Sequence, residues 1–363
     1  MQAPPPATDE RLTISIDAMG GDKGPKPVVY GLDKVARAHP NVDFVIHGDE
    51  ELLSKYAKRC RHLKERITII PTAKTVTMHD KPSQAMRNAM GTSMYSAIDS
   101  VRSGDASVCV SCGNTGALMA ISMLRLRKLD GVNRPAIAVL WPSYNKTGFN
   151  VVLDVGADLR ADPQDLLQYA LMGTSYARNG MSIHTPRVGL LNVGTEEHKG
   201  RAELRDAGTL LERYQNEGQY DYIGYVEGGD ICSDRVDVIV TDGFTGNVAL
   251  KTGEGTASFI GASLRSAFAH SPLSRLAALL ALTSLRRLRK RIDPRRVNGG
   301  VFLGLNGIVV KSHGSADATG VAAAVSLAVT LAQSQFHDKI VARLARLDEQ
   351  AHSGQTLEQE KSE

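Results

Sequence analysis

The residues best placed to do chemistry lie in short polar runs rich in glycine. These are Asp17-Ala-Met-Gly-Gly-Asp22, Ser111-Cys-Gly-Asn-Thr-Gly116, Asp154-Val-Gly-Ala-Asp158, Asn192-Val-Gly-Thr-Glu-Glu-His-Lys-Gly200, Glu227-Gly-Gly-Asp230, Asp242-Gly-Phe-Thr-Gly-Asn247 and Ser312-His-Gly-Ser315. Bare backbone lets a ligand approach main-chain N–H groups, and Asn, Thr and a loop Lys add further donors. Candidate nucleophiles are few. Such an inventory binds a free anion and stabilises charge that develops on a carbonyl oxygen. Gly20 and Gly21 clear the main chain after the first β-type segment, and Pro25 and Pro27 preset φ for a first helical turn. N–H groups there point back at the strand end, a geometry that binds anions; an ordinary tight strand-to-helix connection has the same pattern. Asn114 and Thr115 stand with Gly116 before a helix, where they either cradle phosphate or simply cap the helix.

Several familiar chemistries fail on spacing. The chain has no G-x-G-x-x-G, which disfavours a dinucleotide cofactor held in the usual way, no G-x-x-x-x-G-K-[ST] and no G-x-S-x-G. Of four cysteines only Cys109 and Cys112 are close, with no second pair or His pair to complete a zinc spacing, so neither metal nor cofactor is expected. The opening "MQAPPPATDE" lacks a basic region followed by an apolar core and reads as a loose tail over 1–11; the polar end, 348–363, reads as a disordered one. A cytoplasmic, reducing location is expected.

The elements that must position these runs are legible as periodicity. At 363 residues and 42% hydrophobic, the chain can bury a large core. Short β-branched runs alternate with helical stretches, the pattern of an α/β fold with a mostly parallel sheet covered on both faces. Strands are expected at 13–17, 42–47, 67–71, 106–111, 136–140, 151–154, 187–193, 222–226, 236–241 and 307–311. Helices are expected at about 27–38, 50–61, 82–102, 116–128, 163–179, 201–217, 248–269 and 318–347, within one catalytic unit over 12–347. Strand after strand ends in a glycine-rich run, and ligands of open α/β sheets bind outside the carboxyl ends of the strands. The loops are therefore expected to converge on one cleft.

The runs "SIDAMGGD", "GNTGALMA", "LDVGAD", "LLNVGTEEHKG", "VEGGDI", "VTDGFTGNVALKTGEG" and "FLGLNGIVVKSHGSAD" follow one another in an order that resembles the signature of the phosphate acyltransferase (PlsX) family of bacterial phospholipid synthesis, over roughly Leu12 to Leu347. The resemblance implies a three-layer α/β/α, Rossmann-like homodimer related to isopropylmalate dehydrogenase and phosphotransacetylase. It implies conversion of fatty acyl-ACP and inorganic phosphate to acyl phosphate and free ACP, with a membrane glycerol-3-phosphate acyltransferase taking the product. Lys199 would then position phosphate and offset its charge, and Asn247 would donate its amide to phosphate or to the thioester oxygen, cap a helix, or do both. His313 has two readings, a proton donor or phosphate ligand and a structural histidine. Gly194, Thr195 and Gly246 join Gly20, Gly21, Asn114, Thr115 and Gly116 as backbone or side-chain donors. Asp17 would orient Lys199 or a loop amide, Asp22 would fix the glycine turn, and Glu196, His198 and Asp242 would stand farther out. Asp158 and Cys112 depart from the family's pattern: an ionised Asp158 facing phosphate would repel it unless it points elsewhere or pairs with a cation, and Cys112 reads as a small buried filler.

Net charge of +4 hides an asymmetry, because Arg265 to Arg296 holds nine Lys or Arg against the single acid Asp293, a local +8 that leaves −4 elsewhere. No aromatic residues interleave in the manner of single-strand binders, so nucleic acid is not an expected partner. Over 271–296 the leucines, among them Leu276, Leu279, Leu280, Leu285 and Leu288, combine with Arg286 and Arg287. An amphipathic helical insertion lying on an anionic membrane surface fits this pattern; a dimer-interface helix and a docking site for acidic ACP are its alternatives. Two other functions stand beside the transferase: a phosphotransacetylase-like enzyme using acyl-CoA, and a non-catalytic membrane scaffold, which would have little use for so much bare backbone.

Overall fold

The computed structural model describes residues 11–196, 198–292 and 299–343. The expected tail at 348–363, nearly all of that at 1–11, and the end of the basic insertion from 293 onward fall outside the described residues. Contacts group the chain into two compact units, Met1–Lys128 with Leu305–His337, and Leu129–Gly304 with Asp338–Glu363.

In the first unit the chain runs through β1 (Leu12–Asp17), α1 (Pro25–Ala38), β2 (Val42–Gly48), α2 (Glu50–Ala57), β3 (Ile67–Pro71), α3 (Pro82–Arg87), α4 (Ser93–Arg102), β4 (Val108–Ser111) and α5 (Thr115–Arg125). It returns for the last strand and helix, β11 (Ile308–Lys311) and α12 (Ala318–Gln333). The strands lie parallel in the order β3-β2-β1-β4-β11. Alternation along β1 sends Ile14 and Ile16 to one face and Ser15 and Asp17 to the other. Ser15 Oγ donates to the Ala97 carbonyl of α4 at 2.8 Å, so α4 covers the second face. α12 packs on α1 and on β1, β4 and β11 and buries seven residues, the behaviour of a core helix. No single helix among the described residues is long and apolar enough to cross a membrane.

The second unit is built from β5 (Ala136–Pro142), β6 (Phe149–Leu153), α6 (Pro163–Met181), β7 (Arg187–Leu191), α7 (Ala202–Arg213), α8 (Gln215–Gly218), β8 (Asp221–Val226), β9 (Val238–Val240), α9 (Gly243–Ala269), α10 (Pro272–Leu280), α11 (Leu282–Ile292) and β10 (Gly300–Leu303). The order is β10-β5-β6-β9-β7-β8; β5 is antiparallel to both its neighbours, and the other pairs are parallel. α6 lies so close to β6 and β9 that a Cβ at Gly173 would sit 2.7 Å from Val238 and 2.8 Å from Leu153. α9 is different: of its 27 residues only Gly243 and Gly246 are buried.

Several elements depart from the expected pattern, among them the helix expected over 201–217, which divides into α7 and α8 at Tyr214. The helix expected over 82–102 breaks at Asn88–Thr92, where Gly91 takes φ +81 and the Thr92 hydroxyl accepts from Tyr95 N to start α4 afresh. The insertion forms two helices, not one, separated at Ala281. The helix expected over 318–347 stops at Gln333 and resumes at Phe336 with a bend of 58°, across Gln335 at φ 52. β10, four residues long and starting at the second glycine of the Gly299-Gly300 pair, is too short to carry an alternation and was not expected.

Candidate active site

In the first unit the loops after β1, β4 and β11 meet. Asp17, buried at the end of β1, accepts from Ser111 Oγ at 2.7 Å and Met19 N at 3.3 Å, while Ser111 Oγ accepts from Gly113 N at 3.0 Å. Burial pushes the Asp17 carboxyl above its ordinary range, against the opposing pull of hydrogen bonds from Ser111, Ser93, Met19 and Gly20. The Asp17 carboxylate thus holds the amides of the loop that follows β1. A Cβ at Gly20 would lie 2.6 Å from the Asp17 carboxylate and 2.7 Å from Gly113 Cα, so two backbones pass where only glycine fits. Gly21 faces Cys112 and the Gly314 carbonyl, Asp22 N donates to that carbonyl at 2.9 Å, and Lys23 Nζ donates to Ser315 O at 2.5 Å. The exposed His313 belongs to this third loop.

Asn114 caps α5 by accepting from Ala117 N at 3.0 Å, and its amide donates to the carbonyls of Met78 and Asp80. The amide is thus engaged with protein, while Thr115 and Gly116 stand exposed in the first turn of α5. Cys112 is buried, and burial pushes its thiol up, away from the thiolate that a nucleophile needs.

In the second unit the loops after β6, β7 and β9 are tied together as firmly. Asp154, fully buried, accepts from the backbone N–H groups of Ile137, Gly156, Ala157 and Asp158 at 2.7–3.1 Å. Burial raises its pKa and those bonds oppose the rise. Asp158 pairs with Arg134 Nη1 at 2.9 Å, so the departure from the family's pattern is met by a cation. Asp242 caps α9, accepting from Thr245 N at 2.8 Å, and pairs with Arg201 at 2.5 Å. That cap starts α9 five residues before the expected 248, which leaves Asn247 inside the helix and not at its cap. A Cβ at Gly246 would overlap the Asp154 carbonyl; its absence brings Asn247 Nδ2 to 3.0 Å from the Val155 carbonyl, beside Gly156.

The loop after β7 carries Lys199. Asn192 anchors it from below: its Nδ2 donates to the Lys199 carbonyl at 3.1 Å and its Oδ1 accepts from Val193 N at 2.9 Å. The Lys199 side chain lies across Gly194, where a Cβ would overlap it. Lys199 Nζ reaches Glu196 Oε1 at 2.6 Å, with both side chains about half exposed, and this bond holds the Glu196 carboxyl below the ordinary range. Thr195 and His198 are exposed on the same loop. Asn192, Asp154, Ser111, Arg134 and Arg201 were not singled out in the sequence. Asn192 and Asp154 open glycine-rich runs there, and their position at strand ends was the available signal.

Residues 12–339 match the family described as fatty acid synthesis protein. Over 339 residues, 93% of this chain and 95% of the relative, the sequence is 64% identical to the phosphate acyltransferase of Roseobacter denitrificans. The chain belongs to the phosphate acyltransferase family. Phosphate acyltransferases of Cereibacter sphaeroides (65% over 92% of this chain and 91% of the relative) and Ruegeria pomeroyi (62% over 97% and 96%) agree. As a member of this family the protein is an acyltransferase of fatty acid synthesis. Solved phosphotransacetylases share the fold: that of Streptococcus pyogenes at TM-score 0.59 and 16% identity, over 90% of this chain and 94% of its own, and that of Staphylococcus aureus at 0.58 and 15%, over 89% and 94%.

Proposed function

We propose that this acyltransferase joins inorganic phosphate to a fatty acyl group carried as a thioester on acyl carrier protein, giving acyl phosphate and the free carrier thiol. A phosphate oxygen attacks the thioester carbonyl carbon, the tetrahedral oxyanion collapses, the C–S bond breaks, and the proton of hydrogen phosphate passes to the leaving thiolate. Phosphate is its own nucleophile, so the protein's task is to hold an anion beside a carbonyl and to stabilise the oxyanion. The observation that carries this reading is the presentation of Lys199 on a glycine loop fixed from beneath by Asn192, within a chain of this family. Asn247 supplies an amide to phosphate or to the thioester oxygen, and Gly194 and Thr195 supply further donors; Gly246, whose N–H donates to the Asp242 carbonyl at 2.9 Å, contributes by its missing side chain and not as the expected donor.

The test is release of free thiol from palmitoyl-ACP with and without phosphate. Release that requires phosphate and falls by roughly 10²–10³-fold in Lys199→Ala, the loss typical of one removed oxyanion donor, supports both the reaction and the lysine's role. Release indifferent to phosphate makes the protein a thioesterase, and activity with palmitoyl-CoA alone changes the carrier.

The protein works in the cytoplasm at the membrane surface, where the product passes to a membrane glycerol-3-phosphate acyltransferase. Leu273, Leu276, Leu279 and Leu280 of α10 are 53–80% exposed, and Arg286 and Arg287 of α11 are exposed beside a half-buried Leu285, which supports contact with anionic lipid. The Leu288 side chain lies outside the described residues. A second copy of the chain covers the apolar stretch of α9 at Phe259, Ile260 and Leu264; sedimentation equilibrium of the purified protein reads that homodimer directly.

A further inference from the structure

The strand ends of the second unit carry, besides Lys199 and Asn247, a set of large apolar side chains that the chain leaves in water. Val193 follows β7 and is 80% exposed, Leu159 follows β6 and is 68% exposed, Phe244 opens α9 at 62%, and Val248 stands at 52%. Scattered exposed apolar residues need no explanation, but these four stand at the ends of three adjoining strands, β6, β9 and β7. Gly243 N donates to the Asp158 carbonyl at 2.8 Å, which sets Phe244 beside Leu159. β7, whose following loop Val193 belongs to, pairs with β9 in the register Leu190 with Val240, and Arg201 at the far end of that loop pairs with Asp242, the cap of α9, at 2.5 Å. Val248 follows Phe244 by four residues and shares its side of α9. At the opposite end of these strands the surface is polar and paired: Arg187 binds Asp237 at 2.9 Å, and Asn145 binds Asp237 at 2.5 Å.

We infer that Leu159, Val193, Phe244 and Val248 form the seat of the donor's acyl chain, which runs from the carbons next to the thioester to well past the reach of a butyryl group. The inference rests on the proposed reaction and deepens it. A thioester whose carbonyl is served by Asn247 must lay its first methylenes within a few ångströms of that side chain, and Val155, whose carbonyl Asn247 binds, leads directly into Leu159. The polar contacts of the reacting carbonyl and phosphate are met by amides and Lys199; hydrocarbon is the part of the substrate that four uncharged, branched or aromatic side chains recognise. Each methylene moved from water into apolar contact is worth up to about fourfold in affinity, so the rim converts chain length into specificity.

Butyryl-, octanoyl- and palmitoyl-ACP, each below its micellar concentration, are turned over by the wild type and by Phe244→Ser and Val193→Ser, with melting curves confirming that the variants fold. The ratio of kcat/KM for palmitoyl over butyryl should fall about tenfold in each variant. An unchanged ratio overturns the inference, and so does a loss equal at all three lengths, which assigns the rim to the carrier or to a second copy. Affinity for S-hexadecyl pantetheine, an inert thioether, is measured in parallel by calorimetry. Should the wild type release no thiol with any donor, the proposed reaction falls, while weaker thioether binding in the variants still supports the rim and equal binding rejects it.

Discussion

Asn192 is the side chain on which the position of Lys199 depends. It is nearly buried, and its amide joins the first and last parts of the loop; Asn192→Asp keeps the shape, removes the donor to the Lys199 carbonyl and sets a carboxylate against it. The expected result is a drop in kcat with phosphate KM raised several-fold, read from initial rates over a phosphate series, and a loss of about 1–3 kcal/mol in stability from the unmade bond. His47 offers a second test at this scale. The Ser15 hydroxyl donates to Ala97 O, so it accepts from Nε2–H of His47, and Nδ1 accepts from Ser96 Oγ at 2.8 Å. Burial lowers the pKa of His47 from 6.5 to about 4. The unfolded chain therefore binds the extra proton first, and stability falls as pH drops from 6.5 toward 4; by pH 5 the loss is about 2 kcal/mol. Urea midpoints at pH 7 and pH 5 should show that loss in the wild type and a smaller one in His47→Asn. Lys199 and Asn247 stand in motifs that the sequence alone displays. Asn192 and His47 were not legible there, because a buried amide or imidazole is defined by partners distant in sequence or hidden in a loop's closure.

Among the elements, α9 binds tightest where it begins. Its first turn passes the Asp154 carbonyl with no room for a side chain at Gly246, so Gly246→Ala must lift the helix from the loop after β6. Overpacking of this kind costs about 1–3 kcal/mol, and because Asn247 moves with the helix, thiol release should fall further than the melting temperature suggests. Arg134→Ala tests the loop from its other side by leaving Asp158, which is nearly buried, without its ion-pair partner; a melting temperature equal to that of the wild type would discard the pairing as a structural requirement. The strands were read well, since ten of them alternate or run apolar between turn residues. The helix ends were read less well: Asp242 as a cap is indistinguishable from any loop aspartate until Thr245 N is seen to bond it, and apolar periodicity alone gives no sign of the breaks at Thr92, Ala281 and Gln335.

On the scale of the molecule, the basicity concentrated between Arg265 and Arg296 should make binding to anionic vesicles fall steeply with salt, since exposed charges are screened within about 8 Å at physiological ionic strength. Flotation with phosphatidylglycerol vesicles, compared with phosphatidylcholine alone, reads this. Replacement of Leu276, Leu279 and Leu280 by serine should abolish flotation while leaving the salt dependence of encounter in place, and unchanged flotation would remove the membrane from the proposed function. The whole fold was legible as an α/β architecture from the alternation of runs; the antiparallel β5 escaped because nothing in its apolar sequence distinguishes direction. One property of α9 bears on how these parts act together. The helix is roughly 40 Å long at 1.5 Å per residue, is gripped at Gly243 and Gly246, and continues into α10, so it is a lever with its fulcrum beside Asn247. Gly253 rests on Trp141, whereas around Gly255 there is open space, and the shaft can give way at that joint. Gly255→Ala stiffens it without a clash and should add about 0.4–1 kcal/mol of stability, so that a load placed on the far end arrives at Asn247 undamped.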